Sequence, residues 1–241
     1  MNSAARVGPL VDAASAYYRG AGRFAWHFAR GKLGTDPVFT ALLAQGLLSG
    51  RARLLDLGCG QGLLAAWLLA AQRLASAPGW PPQWPEPPSL QFYRGIEINP
   101  RDASRARAAF VGESPTALQI VQGDICVDDY GTADAVVILD VLHYLDHPAQ
   151  QAVIERARAA LAPQGLLLLR VSDAAAGLCS AFSSAVDGAV ALARRGRWPQ
   201  LSYRALDDWQ ALLARAGFGS RRLPMSAGTP FKNVLFVAHA Q

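Results

Sequence analysis

Three glycines alternate with other residues at Gly58, Gly60 and Gly62, and an acidic residue, Asp56, stands two positions before the first of them. Because glycine has no side chain, a ligand can approach its backbone closely, and turns of this kind often need positive φ. A helix beginning just after them would offer unpaired N–H groups and the positive end of its dipole to an anionic group. The spacing therefore predicts a ligand-binding turn, with Cys59 among the residues that line it.

A strand and a helix are needed to position this turn. Residues 53–57 form a short apolar run, and residues 63–74 are apolar on nearly every side. This pattern predicts a buried strand, a tight turn and a buried helix. The dinucleotide fingerprint Gly-x-Gly-x-x-Gly is not met, because counting from Gly58 places Leu63 at its third glycine. A nicotinamide cofactor is therefore disfavoured.

The second predicted strand, Phe92 to Ile98, carries an acidic residue, Glu97, near its end. The two oxygens of a carboxylate can accept hydrogen bonds from both hydroxyls of a ribose. Glu97 lies further past Gly62 than is usual, and residues 75–89 account for the excess. That segment holds six prolines, too many for a helix or a sheet, so it is predicted to be a surface loop.

Two further predicted strands end in polar residues. Residues 118–121 are followed by Asp124 and Ile125, and the apolar run of residues 133–139 is followed by Asp140 and His143. A continuous apolar run indicates a central strand covered on both faces. A single Asp after a strand is also a common turn residue, so that alternative stays open for Asp124.

The glycine turn, Glu97 and the segment 140–145 resemble, in order and spacing, the motifs of class I S-adenosylmethionine-dependent methyltransferases across about residues 50–240. The resemblance implies a doubly wound α/β fold with a seven-stranded, mostly parallel sheet whose last strand is antiparallel. S-adenosylmethionine is implied as the cofactor, with Asp124 accepting from the adenine amino group and the next N–H reaching a ring nitrogen. The implied cofactor-binding residues are Asp56, Gly58, Cys59, Gly60, Gly62, Glu97, Ile98, Asp124, Ile125 and Asp140.

By this resemblance, a methyl group passes in line from a sulfonium to a nucleophile, and holding the two reactants in line can be worth roughly 7–11 kcal/mol. An oxygen or ring-carbon acceptor also loses a proton, which calls for a base with a pKa near ambient pH. His143 is the candidate catalytic base, and its packing beside the cofactor without proton transfer is an equal alternative. His27 is the second candidate. No Cys/His/Asp cluster has metal-ligand spacing, so no metal is expected.

A single domain is expected for residues 1–241, with a helical cap over residues 1–49 and a core over residues 50–241. One or two helices are expected over residues 10–31, a turn over residues 31–37 and a helix from Asp36 to Leu48. Within the core, residues 172–204 exceed what a crossover requires and are predicted to form a lid insertion. Arg19 and Arg23 of the cap are candidates for binding the carboxylate of the cofactor.

The composition is that of a globular protein, with 51% hydrophobic and 17% charged residues. Cys59, Cys126 and Cys179 lie far apart without metal-ligand spacing and are expected to be small buried thiols. The first 20 residues show no signal-peptide pattern and no segment is apolar enough to span a membrane, so a cytoplasmic protein is expected. The net charge of +5 is spread along the chain rather than gathered in one tract, which disfavours nucleic acid as a partner.

Residues 22–33 and 226–235 resemble methyltransferases associated with bacterial aryl-polyene and xanthomonadin-type pigment pathways. This resemblance implies a phenolic ring, or its carrier-bound acyl derivative, as the acceptor. Three alternatives stay open: a non-catalytic cofactor-binding partner subunit, a nicotinamide oxidoreductase and a nucleic-acid methyltransferase.

A basic turn contains Arg194, Arg195, Arg197 and Arg204. One interpretation is a solvated loop. The other is a docking site for an acidic acyl carrier protein, because a partner of opposite charge would relieve the repulsion among the arginines and speed encounter.

Overall fold

The computed structural model describes residues 3–75, 80–114, 116–172, 201–227 and 233–241, and side chains from residue 7 onward. The chain divides into two units, Met1–Gly123 and Asp124–Gln241. Most of the predicted lid insertion lies outside the described residues, and so do Cys179, Arg194, Arg195 and Arg197.

The first unit contains the cap helices and three parallel strands. Strand β2 pairs with β1 on one side and with β3 on the other, and both pairings are parallel. The elements are α1 (Ser3–Ala16), α2 (Arg23–Thr35), α3 (Pro37–Ala44), β1 (Arg53–Leu57), α4 (Leu63–Ala75), β2 (Phe92–Glu97), α5 (Pro100–Ala109) and β3 (Leu118–Gln122).

The second unit contains four strands. Its first strand is parallel to the next one in the chain, and its last strand is antiparallel to both of its neighbours. The elements are β4 (Ala133–Leu139), α6 (His147–Ala160), β5 (Leu161–Ser172), α7 (Leu206–Arg215), β6 (Phe218–Pro224) and β7 (Asn233–Ala240). A short 3-10 turn, Leu142–Tyr144, follows β4.

The seven strands form one sheet in the order β3-β2-β1-β4-β5-β7-β6. The predicted α/β class is confirmed, with a seven-stranded, mostly parallel sheet and an antiparallel last strand. Strand β4 covers the predicted residues 133–139, and its interior is buried because helices cover sheets of this kind on both faces.

Helix α2 contradicts the predicted turn over residues 31–37, since it continues through Gly31 and Gly34 to Thr35. Each glycine costs a helix about 1 kcal/mol relative to alanine, but the helix buries Ala25, Ala29 and Leu33 along one stripe. This burial outweighs the local preference of the glycines. The α-helix that follows ends at Ala44 rather than at the predicted Leu48.

Side-chain caps begin three helices. Asp36 with Pro37 and Asp146 with Pro148 predict two of these starts, and Pro100 predicts the start of the helix that Asn99 caps. The carboxylate of Asp36 accepts from the N–H of Val38 at 3.1 Å, and Asp146 accepts from Ala149 at 2.9 Å. Asn99 caps α5 in the same way. Each cap satisfies an N–H group that the helix itself leaves unpaired.

The apolar run of residues 166–171 predicts a strand that begins at Leu166, whereas β5 begins at Leu161, directly after α6. The sequence also predicts an apolar face on α6 that includes Ala152, but Ala152 is exposed and the polar residue Gln150 is fully buried. Within the described ranges, no helix is long and apolar enough to cross a membrane.

Candidate active site

The glycine turn joins β1 to α4 in the first unit. Gly58, Gly60 and Gly62 have φ values of 74°, 56° and 77°, in the left-handed region that favours glycine. The N–H groups of Gly58 and Cys59 donate to the carbonyl of Ile96 at 2.8 and 3.1 Å. The turn is therefore fastened to the end of β2, the strand that carries Glu97.

Gly60 and Gly62 have different surroundings. A Cβ atom at Gly62 would lie 2.7 Å from Cε2 of Phe110, whereas a Cβ atom at Gly60 would meet nothing within 4 Å. Gly62 thus permits the packing of Phe110 beneath the turn. Gly60 presents bare backbone to open space, as a ligand cradle requires.

Glu97 bridges the turn and the following loop. It is 8% exposed; its Oε2 accepts from the N–H of Gly60 at 2.9 Å, and its Oε1 accepts from Asn99 at 2.7 Å. Both carboxylate oxygens therefore accept hydrogen bonds from the backbone, one from the glycine turn and one from the loop after β2. The next side chain, Ile98, is 48% exposed and offers an apolar surface beside the carboxylate.

Asp56 is buried beneath the turn at 4% exposure. Its carboxylate accepts a hydrogen bond from the hydroxyl of Tyr93. Burial raises the pKa of Asp56 to about 7; the Tyr93 hydrogen bond lowers the pKa, and the charge of Glu97 raises it further. The structure therefore places Asp56 as a buried support of the turn, and its predicted contact with the cofactor stays a prediction.

Cys59 is also buried, at 8% exposure. Burial raises the pKa of its thiol well above the usual value, which makes it a poor nucleophile because the thiolate is the reactive form. A Cβ atom at Gly95 would lie 2.7 Å from the Cys59 sulfur. The side chain of Cys59 thus packs against the backbone of Gly95 in β2.

The cap contacts the turn directly through Tyr18. This side chain is fully buried, and its hydroxyl donates to the carbonyl of Gln61 at 2.9 Å. The side chain of Gln61 in turn donates to Asp102 at 3.2 Å. Sequence reasoning missed these contacts, and the only available signal was the aromatic content of the cap. Arg19, Arg23 and His27 are exposed, and their roles stay predictions.

In the second unit, Asp124 and Ile125 lie in an ordered turn. The carboxylate of Asp124 accepts from the N–H of Cys126 at 2.8 Å. Arg156, on α6, donates to the carbonyls of Ile125 and Asp128. Sequence reasoning missed Arg156, which holds the turn that the resemblance assigns to the adenine.

Asp140 directly follows the last residue of β4. Its φ is 58°, a backbone conformation that non-glycine residues rarely adopt. Its carboxylate accepts from Nε of Arg170 at 2.9 Å and also from Nη2 of the same guanidinium. Arg170, which sequence reasoning missed, is 2% exposed. The cofactor-binding role of Asp140 stays a prediction. Both oxygens of its carboxylate accept hydrogen bonds from the guanidinium of Arg170.

His143 lies in the 3-10 turn after β4 and is 7% exposed. Its imidazole stacks on the ring of Tyr203, with centroids 5.5 Å apart and planes 13° apart. The ring of Tyr144 lies 4.2 Å away at an angle of 47°. His143 thus contacts two aromatic rings, and a restricted imidazole of this kind suits either a positioned base or a packing residue.

Among the described side chains, no group of three or more His, Cys, Asp or Glu residues could hold a metal ion. In the first unit, the hydrogen bond from Gly60 to Glu97 brings together predicted site residues that follow β1 and end β2. In the second unit, Asp140 and His143 share the segment after β4.

Residues 55–167 match a family model described as a methyltransferase domain. A relative from Chromohalobacter salexigens, carboxy-S-adenosyl-L-methionine synthase, is 36% identical over 129 residues, which are 53% of this chain and 43% of that protein. This chain therefore matches less than half the length of that relative.

Solved structures share the fold. An O-methyltransferase family protein from Burkholderia thailandensis has a TM-score of 0.65 and 17% identity, over 91% of this chain and 59% of that one. Magnesium protoporphyrin IX methyltransferase from Synechocystis PCC 6803, with bound SAH, has a TM-score of 0.59 and 19% identity, over 95% and 94% of the two chains.

Residues 55–167 therefore resemble a methyltransferase domain, and the solved structures share the fold of this chain.

Proposed function

We propose that this protein transfers a methyl group from S-adenosylmethionine to a small-molecule acceptor, a phenolic compound or an aryl acyl group on a carrier. The observation that carries the proposal is the hydrogen bond, 2.9 Å long, from the N–H of Gly60 to the carboxylate of Glu97. It joins the glycine turn to the acidic residue that a ribose requires.

The residues of the first unit fit the cofactor. Gly60 offers backbone with open space in front of it. Glu97 supplies the carboxylate for the ribose, and Ile98 is an exposed apolar side chain suited to packing against a flat base. S-adenosylmethionine, when bound, supplies an electrophilic methyl group on a positively charged sulfur. The protein must hold that group in line with the acceptor and exclude water.

The residues of the second unit supply the remaining functions. The turn of Asp124 and Ile125, held by Arg156, takes the adenine edge. Asp140, held by Arg170, fixes the backbone at the end of β4. His143 is the base that accepts the proton of the acceptor hydroxyl, and its stacking on Tyr203 restricts the plane of the imidazole.

The acceptor class rests on two supports. The segments at residues 22–33 and 226–235 resemble enzymes of aryl pigment pathways. The same fold occurs in the mitomycin 7-O-methyltransferase MmcR, at 22% identity, and in an O-methyltransferase family 2 protein from Planctomyces limnophilus in complex with apigenin, at 20% identity. At these identities the fold alone is shared.

Isothermal titration with S-adenosylhomocysteine tests the cofactor assignment. The wild-type protein should bind it, and NADH should not compete. Glu97→Ala should weaken binding by about 1.5–3 kcal/mol, the scale of a hydrogen bond to a charged group. Glu113→Ala is the matched control, since this glutamate pairs with Arg73 on the surface and should leave binding unchanged. Competition by NADH, or equal loss in both variants, would overturn the assignment.

A panel of phenols and carrier-bound aryl acyl compounds tests the acceptor class. Each is incubated with S-adenosylmethionine, and mass spectrometry follows the acceptor mass and the release of S-adenosylhomocysteine. Methylation of at least one member is expected. Cofactor binding without methylation of any member would favour the non-catalytic partner hypothesis.

The relative from Chromohalobacter salexigens favours a second candidate, the synthesis of carboxy-S-adenosyl-L-methionine. Formation of that product replaces a hydrogen of the cofactor by a carboxyl group and leaves the sulfonium intact, so a carboxylic acid that can donate the carboxyl group must be added to the incubation. The same mass spectra separate the two candidates, because the second yields a heavier cofactor and no S-adenosylhomocysteine.

A further inference from the structure

Gln150 is a fully buried polar residue in the first turn of α6. Its Nε2 group donates to the carbonyls of Leu142 at 3.1 Å, Leu145 at 3.0 Å and Ser202 at 2.7 Å. Its Oε1 accepts from Nε of Arg204 at 2.6 Å. One side-chain amide therefore joins two segments that lie more than 50 residues apart in the chain.

The partners fix the orientation of this amide. Three carbonyl oxygens can only accept hydrogen bonds and a guanidinium can only donate them. Turning the amide over would place its oxygen against three oxygens and its NH₂ group against a cation. The two N–H groups are shared among the three carbonyls, and only this orientation directs donors toward the carbonyls and the amide oxygen toward the guanidinium.

The two segments that Gln150 joins carry the stacked rings of His143 and Tyr203. Leu142 and Leu145 lie on either side of His143, and Ser202 precedes Tyr203. The N–H of Ser202 also donates to the carbonyl of His143 at 2.8 Å. The main chain around both rings is therefore held by Gln150 and its neighbours.

We infer that Gln150 is a positioning residue that holds Tyr203 against His143 and so sets the plane of the imidazole for proton transfer. The proton-transfer part of this inference rests on the proposed function, whereas the positioning of the two rings does not.

Arg204 also bears on the predicted basic turn. Its guanidinium binds Gln150 and the carbonyl of His147 at 2.8 Å. The guanidinium of Arg204 thus makes hydrogen bonds within the second unit, and the two interpretations of the basic turn, a solvated loop or a docking site, stay predictions.

Variants at three positions separate the contributions. Gln150→Met preserves the size of the side chain and removes every hydrogen bond, and Gln150→Glu replaces the donating NH₂ group by an oxygen. Arg204→Met is the matched control, because it removes the partner of Oε1 and leaves the three carbonyl contacts. Tyr203→Leu defines the state without the stacked ring.

Proton–carbon NMR of protein with ¹³C-labelled histidine reads out the stack, since the ring of Tyr203 shifts the His143 resonance. Only four histidines are present, and His143→Gln identifies the signal. Gln150→Met and Gln150→Glu should move this signal toward its position in Tyr203→Leu, whereas Arg204→Met should move it less. An unmoved signal in both Gln150 variants, or an equal shift in the control, would overturn the inference.

A measurement on the wild-type protein covers the case in which the Gln150 variants do not fold. The side-chain amide protons of Gln150 should exchange with solvent far more slowly than those of its neighbour Gln151, which is exposed and bonded to Glu155 at 2.8 Å. Equal exchange rates would contradict the proposed contacts directly.

The catalytic consequence is measured separately with an acceptor from the panel. Gln150→Met should lower turnover by up to about 100-fold, as misplacement of reacting groups can, while the dissociation constant for S-adenosylhomocysteine stays unchanged. Normal turnover with a moved His143 signal would overturn the catalytic part and preserve the structural part. Failure of wild-type protein to bind S-adenosylhomocysteine would instead count against the proposed function.

Discussion

The carboxylate of Asp140 and the guanidinium of Arg170 form a two-point ion pair between the end of β4 and the neighbouring strand β5. Nε donates to Oδ1 at 2.9 Å, and Nη2 donates to Oδ2. The side chain of Arg170 is 2% exposed and that of Asp140 is 29% exposed. Asp140 adopts positive φ here, so the pair holds the chain in an unfavourable conformation just before the segment that carries His143.

The unequal exposure of the two partners predicts unequal mutational effects. Asp140→Asn leaves the buried guanidinium without this carboxylate, and it should cost about 3–5 kcal/mol of unfolding free energy, as breaking a buried pair does. Arg170→Met should cost less, because solvent reaches Asp140. Denaturant unfolding of both single variants and of the double variant measures the coupling. The double variant should lose less than the sum of the single losses, and simple additivity would contradict the prediction.

Gly60 and Gly62 share left-handed backbone and differ in their surroundings, so they form a matched pair. Each alanine variant should lose about 1–2 kcal/mol from the unfavourable conformation. Gly62→Ala should lose about 1–3 kcal/mol more, because its methyl group would press on Phe110. Gly60→Ala should instead weaken S-adenosylhomocysteine binding, since its methyl group projects into open space.

Thermal unfolding and isothermal titration on both glycine variants check this division. Phe110→Leu, introduced into Gly62→Ala, should recover part of the lost stability. Equal losses of stability in the two variants would show that Phe110 does not limit the turn.

His143→Gln tests the assigned base. Turnover should fall by roughly 10²–10⁴, the usual contribution of general base catalysis, while cofactor affinity stays the same. His27→Gln is the control, because His27 is exposed on α2. Full activity of His143→Gln together with loss of activity in His27→Gln would indicate that His27, and not His143, is the base.

The buried carboxyl group of Asp56 predicts a pH dependence of stability. Its pKa is raised from 3.8 to about 7 in the folded protein, mainly by burial. Between these values the folded state binds the proton more tightly than the unfolded state, so the contribution of Asp56 to stability falls as pH rises. The stabilisation from Asp56 should be lost progressively between about pH 4 and about pH 7. Each unit of difference between the folded and unfolded pKa corresponds to about 1.4 kcal/mol of unfolding free energy.

Unfolding free energies of wild type and Asp56→Asn at several pH values measure this contribution. The advantage of wild type over the variant should shrink, or reverse, toward neutral pH. Asp208→Asn serves as the control, because Asp208 is exposed on α7. Parallel curves for wild type and Asp56→Asn would show that the carboxyl group titrates normally.

Local patterns in the sequence determined the elements and the class of fold. The apolar run of residues 133–139 predicts β4, and the positions of Asp36, Asn99 and Asp146 match the starts of three helices. Signals of this kind depend on residues within a few positions of one another, which fix backbone conformation and capping. The alternate glycines likewise determined the place and geometry of the turn, because positive φ is a local property.

Only the tertiary structure decided how side chains are used. Asp56 and Glu97 are both acidic residues of β-strands, yet Asp56 is buried against Tyr93, whereas Glu97 bonds to the turn. Gln150 and Arg170 looked like ordinary residues of a helix and a strand. Their partners lie 52 and 30 residues away, and the desolvation that makes such contacts strong exists only after the chain has folded. No periodicity in the sequence records which distant group will meet a buried amide or guanidinium, so these contacts could not have been read from it.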